Sequence, residues 1–222
     1  MHGLTLVFDL DGTLVDTAPD LVAATNHVLQ HVGLPQVDEK SLRPWIGHGA
    51  AYMVEHAMGP AAKELTAAQQ AHLLEVYLEY YGRNIAVGSQ PFEGTIDALE
   101  SLSRQGAKLA VCTNKMEGMS RTLLDALGMT GYFASIAGRD TLPVFKPDPG
   151  HLLGTIRLAG GEAERAVMIG DSRTDIATAK AANVPVVAVS FGYTDVPVSQ
   201  LGPDAVIDHY RDLEGAIRAL NR

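Results

Sequence analysis

Asp9 and Asp11 are the residues of this chain whose type and spacing bear most directly on chemistry. They follow the apolar run Leu6-Val7-Phe8 and open the stretch Asp9-Leu10-Asp11-Gly12-Thr13-Leu14-Val15-Asp16-Thr17, which places two carboxylates at the end of a strand that reads as buried. Two positions apart in an extended backbone, they leave the same face. Like charges held that close are costly unless a cation or a proton intervenes, and a hard divalent metal meets that condition. Gly12 permits a tight bend and a close backbone approach to a ligand, while Thr13 and the next amides offer hydrogen bonds to anionic oxygens. The set suits a phosphate held beside Mg²⁺; an acidic strand end that merely caps the next turn is the alternative for this motif by itself.

Three further segments lie at the end of a predicted strand or in the loop after one. Leu109-Ala110-Val111-Cys112 runs into Thr113-Asn114, Lys146 lies in Phe145-Lys146-Pro147-Asp148-Pro149, and Val167-Met168-Ile169 ends in Gly170-Asp171-Ser172-Arg173-Thr174-Asp175. In this order the four segments resemble the haloacid dehalogenase superfamily, whose phosphatase members carry an Asp-x-Asp nucleophile motif, a Thr or Ser, a Lys and a Gly-Asp-x-x-x-Asp motif. The resemblance covers essentially the whole chain. The wording from Asp9 to Asp20, with Trp45-Ile46-Gly47-His48-Gly49, Thr113-Asn114-Lys115 and Gly170-Asp171-Ser172, is similar to that of the superfamily's phosphoglycolate phosphatases. It departs at Met116-Glu117 after Lys115, where many relatives have a proline.

The elements that must position these residues are legible as pattern. The first strand, residues 4–10, is followed by helical pattern as far as about Tyr81 with no convincing strand, an asymmetry that marks an insertion. Pro19 suits a first helical turn, and Leu21, Val22, Thr25, Val28, Leu29 and Val32 follow at helical spacing until Gly33. A second helix runs from near Gly49 to Gly59, Thr66-Ala67-Ala68-Gln69 has the form of a capping box, and Leu73, Leu74, Tyr77, Leu78 and Tyr81 build one apolar face. From Pro91 onward, helices predicted at 95–105, 119–127, 151–158, 175–181 and 212–220 alternate with strands at 108–112, 134–137, 166–169 and 186–189. Such alternation implies an α/β fold with a doubly wound, Rossmann-like parallel sheet, whose ligands bind beyond the carboxyl ends of its strands. The expected division is a catalytic core of residues 1–16 and 88–222 and a small α-helical cap of residues 17–87 inserted after the first strand, the cap being similar to the one that closes over the site in the superfamily.

Carried onto this chain, the resemblance implies phosphoryl transfer in two steps. Asp9 is the expected nucleophile, giving an aspartyl-phosphate that water hydrolyses. Asp11 is the expected general acid and base. Mg²⁺ is expected on the Asp9 carboxylate, the Asp11 carbonyl, Asp171 and a phosphate oxygen, with Asp175 as an orienting carboxylate behind them. Thr113, the neighbouring amides and that of Leu10, with Gly12, are expected on phosphate oxygens, and Lys146 opposite the metal. The expected substrate is 2-phosphoglycolate, with another small phosphate ester or pyrophosphate, or phosphomutase chemistry, as alternatives. A dehalogenase needs neither Mg²⁺ nor Asp11, and a non-catalytic relative would be expected to lack one of Asp9, Asp11, Lys146 or Asp171; all four are present. Of the insertion's cations Lys40, Arg43, Lys63 and Arg83, Arg43 stands just before Gly47-His48-Gly49 and is expected to read the substrate carboxylate bidentately, helped by Asn114 and Lys115. A plain exposed helix arginine is the alternative there. His27 and His31 lack a following Glu and a third ligand for zinc, and Tyr77, Tyr80 and Tyr81 read as packing.

Composition sets the outer bounds. The chain has 222 residues, 46% of them apolar, enough for a real core. Its 17 Lys and Arg against 26 Asp and Glu give a net charge of −9, which argues against nucleic acid or an anionic membrane as partner and calls for local cations to hold an anionic substrate. Cys112 is the single cysteine, sits in an apolar strand and reads as core in a reducing compartment. Met1-His2-Gly3 leads straight into the first strand, so the expected location is the cytoplasm, as a monomer or homodimer.

Overall fold

Short apolar runs between helical segments become strands that are covered on both faces. In the computed structural model, which describes residues 1–220, they form one six-stranded parallel sheet. Its strands are β1 (Thr5–Phe8), β4 (Lys108–Cys112), β5 (Ser135–Ala137), β6 (Ala166–Gly170), β7 (Val186–Val189) and β8 (Ala205–Ile207), in the spatial order β5-β4-β1-β6-β7-β8. β1 is flanked by β4 on one side and β6 on the other, with Thr5 opposite both Lys108 and Ala166. The chain first builds outward from β4 to β5 and then returns to β6, so the reversal of direction lies beside β1. That reversal opens a crevice at the carboxyl ends of β1, β4 and β6.

All four residues of β1 are buried. Alternation sends Leu6 and Phe8 to one face and Val7 to the other. Val7, with Met168 and Ala188, packs under α7 (Pro149–Leu158) and α8 (Arg173–Ala181) through Leu152, Ile156, Ile176 and Ala179. Leu6 and Phe8 pack with α5 (Thr95–Arg104), α6 (Glu117–Ala126) and α9 (Leu213–Leu220) through Leu99, Leu102, Leu123, Leu124 and Ile217. Each fully buried side chain of this size contributes about 1.5–3 kcal/mol, so β1 is fixed from both sides where the site begins. This is the predicted doubly wound α/β architecture.

The helical insertion holds α1 (Ala18–His31), α2 (Glu39–Leu42), α3 (Ala50–Met58) and α4 (Ala67–Arg83). The Thr66 to Gln69 capping box opens α4, as the sequence predicts. Leu21, Met53, Leu73 and Tyr77 join the same apolar cluster as Phe8. The two chain crossings into the insertion lie side by side: β2 (Val15–Asp16) pairs antiparallel with β3 (Gln90–Pro91). Beside them the Asp20 carboxylate accepts hydrogen bonds from the Gly88 and Ser89 amides at 2.9 and 2.8 Å and from the Ser89 hydroxyl at 2.6 Å.

β2, β3, β8 and α2 are absent from the sequence expectation, being too short to carry a period. α6, α7 and α8 begin at Glu117, Pro149 and Arg173, each two residues before the predicted start, because the loop residues ahead of the apolar pattern already turn. Among the described residues no helix is long and apolar enough to cross a membrane. His27 stacks on Tyr80 with ring centroids 4.3 Å apart, in keeping with a packing role for both.

Candidate active site

Asp9 follows β1 directly, its amide donating to the Ile169 carbonyl at 2.9 Å and so extending the sheet by one rung. The chain then folds over the Leu10 carbonyl, which accepts from the Thr13, Leu14 and Val15 amides at 3.3, 3.0 and 3.1 Å. Gly12 sits in this loop at φ +83°, and a Cβ there would come within 2.4 Å of Asp171 Oδ2. Its amide donates to the Val15 carbonyl at 3.0 Å, and its missing Cβ leaves room for Asp171 to approach the bend. The Leu10 side chain is fully buried, and among the described residues the Leu10 and Asp11 amides donate to no protein acceptor.

Lys146 lies on the loop before α7 and is 3% exposed. Its ammonium is 2.8 Å from Asp9 Oδ1 and 2.6 Å from Asp175 Oδ1. Asp175 Oδ2 accepts from the Ser172 amide and hydroxyl at 3.1 and 2.6 Å, closing a capping box at the start of α8. Both oxygens of Asp175 are therefore engaged, which suits an orienting carboxylate that also caps its helix. Asp171 accepts from the Thr13 hydroxyl at 3.1 Å and the Tyr193 amide at 2.6 Å.

Ligand oxygens of Asp9, Asp171 and Asp175 all lie within 4.8 Å of one another, and all three residues are buried. Burial pushes the Asp9 carboxyl up to about 7, aided by Asp175 and Asp11 and opposed by Lys146. Burial, with Asp175 and Asp9, also raises Asp171 well above the ordinary carboxylate range. Burial by itself favours a neutral Lys146, but Asp175 and Asp9 outweigh it and hold the ammonium charged. Three buried carboxyl groups thus face one cation. An all-oxygen donor set short of positive charge fits a hard divalent cation.

Thr113 follows β4 directly, with its amide on the Ala137 carbonyl at 3.0 Å and its hydroxyl accepting from the Lys115 amide at 3.2 Å. Asn114 donates from Nδ2 to the Lys146 carbonyl at 3.0 Å and so braces that loop, while its Oδ1 is buried without a partner among the described residues. Lys115 bonds both oxygens of Asp11 at 3.0 and 3.1 Å and lies 4.5 Å over the Tyr81 ring. Asp11 is held by a cation and Lys115 by a carboxylate, an arrangement the spacing alone does not disclose.

Beyond these groups opens a cavity of about 450 Å³ between the sheet edge and the insertion. Asp9, Asp11, Thr113, Asn114, Lys115 and Lys146 line its core side; Ile46, Met53, Leu74, Tyr77 and Tyr81 line the other. Arg43 is not among the lining residues. Its guanidinium is 2.7 Å from Asp16 and 2.5 Å from Glu39 and lies 4.9 Å over the Tyr193 ring. The structure therefore spends this arginine on joining the insertion to its connecting strand, not on facing the cavity as the sequence reading expected.

Three features escaped that reading. Tyr77 and Tyr81 do pack, but they also line the cavity, and their buried hydroxyls have no partner among the described residues. Tyr193, after β7, fixes Asp171 through its amide and Asp16 through its hydroxyl at 2.5 Å. Arg139, after β5, also lines the cavity. Arg139 and Tyr193 follow short apolar strands at the same sheet edge as Asp9, Thr113 and Asp171, which is the signal that could have found them.

Cys112 and His151 are buried beneath the site. His151 Nε2 lies 3.1 Å from the Gly138 carbonyl, which can only accept, so the neutral ring carries its proton there and Nδ1 accepts from the Cys112 thiol at 3.6 Å. Burial pushes that thiol up to about 12, and burial with nearby Lys146 pushes His151 down to about 4.

The family model described as haloacid dehalogenase-like hydrolase matches residues 6–189. A phosphoglycolate phosphatase from Mesorhizobium japonicum is 52% identical over 205 residues, covering 92% of this chain and 90% of that protein. Another from Agrobacterium fabrum is 46% identical over 211 residues, covering 95% and 91%. The crystal structure of a predicted phosphoglycolate phosphatase from Haemophilus somnus superposes with a TM-score of 0.89 at 34% identity, covering 95% of this chain and 96% of that one.

Proposed function

Because the chain belongs to the haloacid dehalogenase-like hydrolase family, we propose that it is a Mg²⁺-dependent phosphomonoesterase that converts 2-phosphoglycolate to glycolate and phosphate. The observation that carries this reading is the placing of Asp9, buried on the lining of the cavity, against Lys146 and within one cluster with Asp171 and Asp175. The choice of substrate is supported by the relatives that bear that substrate's name at 52% and 46% identity.

In this reading an Asp9 carboxylate oxygen attacks phosphorus and the ester bond to the glycolate oxygen breaks, with Asp11 delivering the proton that the leaving alkoxide takes up. Asp11, now ionised, removes a proton from water as the water attacks the phosphorus of the aspartyl-phosphate; phosphate leaves and Asp9 is regenerated. Lys115, on both Asp11 oxygens, sets the direction of that carboxylate. Lys146 neutralises charge on the phosphate and is itself held by Asp175. Thr113 and the free Leu10 and Asp11 amides donate to phosphate oxygens. Asp9, Asp171 and the Asp11 carbonyl would hold Mg²⁺, which when bound supplies positive charge beside the phosphate. The helical insertion, residues 17–87, acts as a lid on a core of residues 1–16 and 88–222.

The test is phosphate release from 2-phosphoglycolate, pyrophosphate, 3-phosphoglycerate and sugar phosphates, with Mg²⁺ and with EDTA. The expected result is turnover of 2-phosphoglycolate above the others, lost in EDTA, and at least a thousandfold lower in Asp9→Asn. Full activity in EDTA or in Asp9→Asn would overturn the mechanism, and preference for another ester would overturn the substrate.

A further inference from the structure

Among the described residues the cavity has three cations on its lining, and two of them are already committed. Lys146 lies between Asp9 and Asp175, and Lys115 is bound to both oxygens of Asp11. Arg139 lines the same cavity and, among the described residues, forms no ion pair. Two acids of the adjoining loops are engaged elsewhere: Asp140 accepts from the Glu117 amide at 2.7 Å, and Glu117 bonds Arg121 and Thr141 at 2.8 and 2.6 Å.

The position of Arg139 is set by its backbone. Its amide donates to the Lys115 carbonyl at 2.9 Å. Gly138 before it sits so tightly on the neighbouring loop that a Cβ there would meet the Glu117 amide nitrogen at 2.2 Å. Arg139 therefore leaves the sheet edge next to the Lys115 backbone and lines the same cavity as Asp11, the expected proton donor to the leaving group. Its guanidinium lies 4.2 Å over the Phe145 ring. Stacking of that kind fixes the plane of the fork and leaves its N–H edge free for a planar anion. Nη1 comes within 3.9 Å of the space a side chain at Gly49 would fill, so the exposed guanidinium spans from core to insertion. The Tyr77 and Tyr81 hydroxyls, on the same cavity lining, are buried donors without acceptors among the described residues.

We propose that Arg139 is the residue that reads the acid end of the substrate, so that the site selects phosphate esters bearing a carboxylate on the carbon next to the ester oxygen. The fork pairs with that carboxylate, and the two tyrosine hydroxyls complete its hydrogen bonding as the insertion closes. This rests on the phosphatase reading above and names the group that gives it specificity.

The experiment compares kcat/KM for 2-phosphoglycolate with that for ethyl phosphate, which has a methyl group in place of the carboxylate, in wild type, Arg139→Ala and Arg139→Lys. The preference for 2-phosphoglycolate is expected to fall by about tenfold to a hundredfold in Arg139→Ala, the range of a lost charge-assisted bidentate contact. Arg139→Lys is expected to restore part of it, since the charge is kept and the fork is lost. Wild type that does not prefer 2-phosphoglycolate to ethyl phosphate removes the substrate assignment, and this inference with it. A wild-type preference that survives intact in Arg139→Ala overturns the role of Arg139 alone, whether both substrates slow together or neither does.

Discussion

Gly12 decides how closely the two acidic strand ends can approach. Its positive φ is a conformation that side-chain-bearing residues adopt at a cost of about 1 kcal/mol. The larger effect is local, because a methyl group there would displace Asp171 Oδ2 or the Tyr193 ring. Gly12→Ala is therefore expected to fold, to melt a few degrees lower, and to need roughly tenfold more Mg²⁺ for half-maximal phosphate release, the size of effect seen when a group that orients a metal ligand is disturbed. A Mg²⁺ titration checks this, and an unchanged midpoint would show that Asp171 has room to shift. The glycine was legible in the sequence as a bend, but what it bends for was not. The contact with Asp171 joins residues far apart in the chain, and only the sheet register brings them together.

At the scale of elements, the site is a row of strand ends. The ends of β1, β4 and β6 could be read because each apolar run breaks into residues with evident chemistry: Asp9, Thr113 and Asp171. The ends of β5 and β7 break into Gly138-Arg139 and Ser190-Phe191-Gly192-Tyr193, which carry no motif, so their contributions emerge only from the packing. Arg43 shows the converse. Spacing put a cation near the cavity, whereas Asp16 and Glu39 claim it. Its bridge to Asp16 ties the helical insertion to β2, with both side chains about a third exposed. Pairs of that kind contribute about 0.2–1 kcal/mol, so Arg43→Ala is expected to lower stability by no more than that. Its effect on kcat/KM is expected to be the same for 2-phosphoglycolate and for ethyl phosphate, because what loosens is the seating of the insertion. A loss confined to 2-phosphoglycolate would return Arg43 to the substrate. Asp16→Asn should reproduce the Arg43→Ala behaviour, and the double variant should add little.

At the scale of the whole molecule, His151 couples the core to pH. Its folded value near 4 lies below the ordinary 6.5, because burial and Lys146 oppose its protonation. Between those values the unfolded chain binds a proton that the folded chain refuses, so stability is complete above about pH 6.5 and falls as the pH drops toward 4, by about 3 kcal/mol at most. The raised Asp9 and Asp171 act in the opposite sense, so the difference between wild type and His151→Gln isolates the histidine. The variant keeps a donor for Gly138 and cannot titrate; its melting temperature is expected to fall less than that of wild type from pH 7 to pH 4.5, and parallel curves would count against the effect. The doubly wound plan itself was legible throughout, since alternating helix and strand patterns leave few other arrangements. The central place of β1 in that plan has a further consequence in time. Of the six strands of this sheet, the first to be made is the one whose neighbours, β4 and β6, come from the middle and the last third of the chain. The helices of the insertion pack on one another within residues 18–83 and can settle before the sheet is complete. β1 waits with both edges open, and Asp9, the earliest-made part of the site, is among the last to find its surroundings.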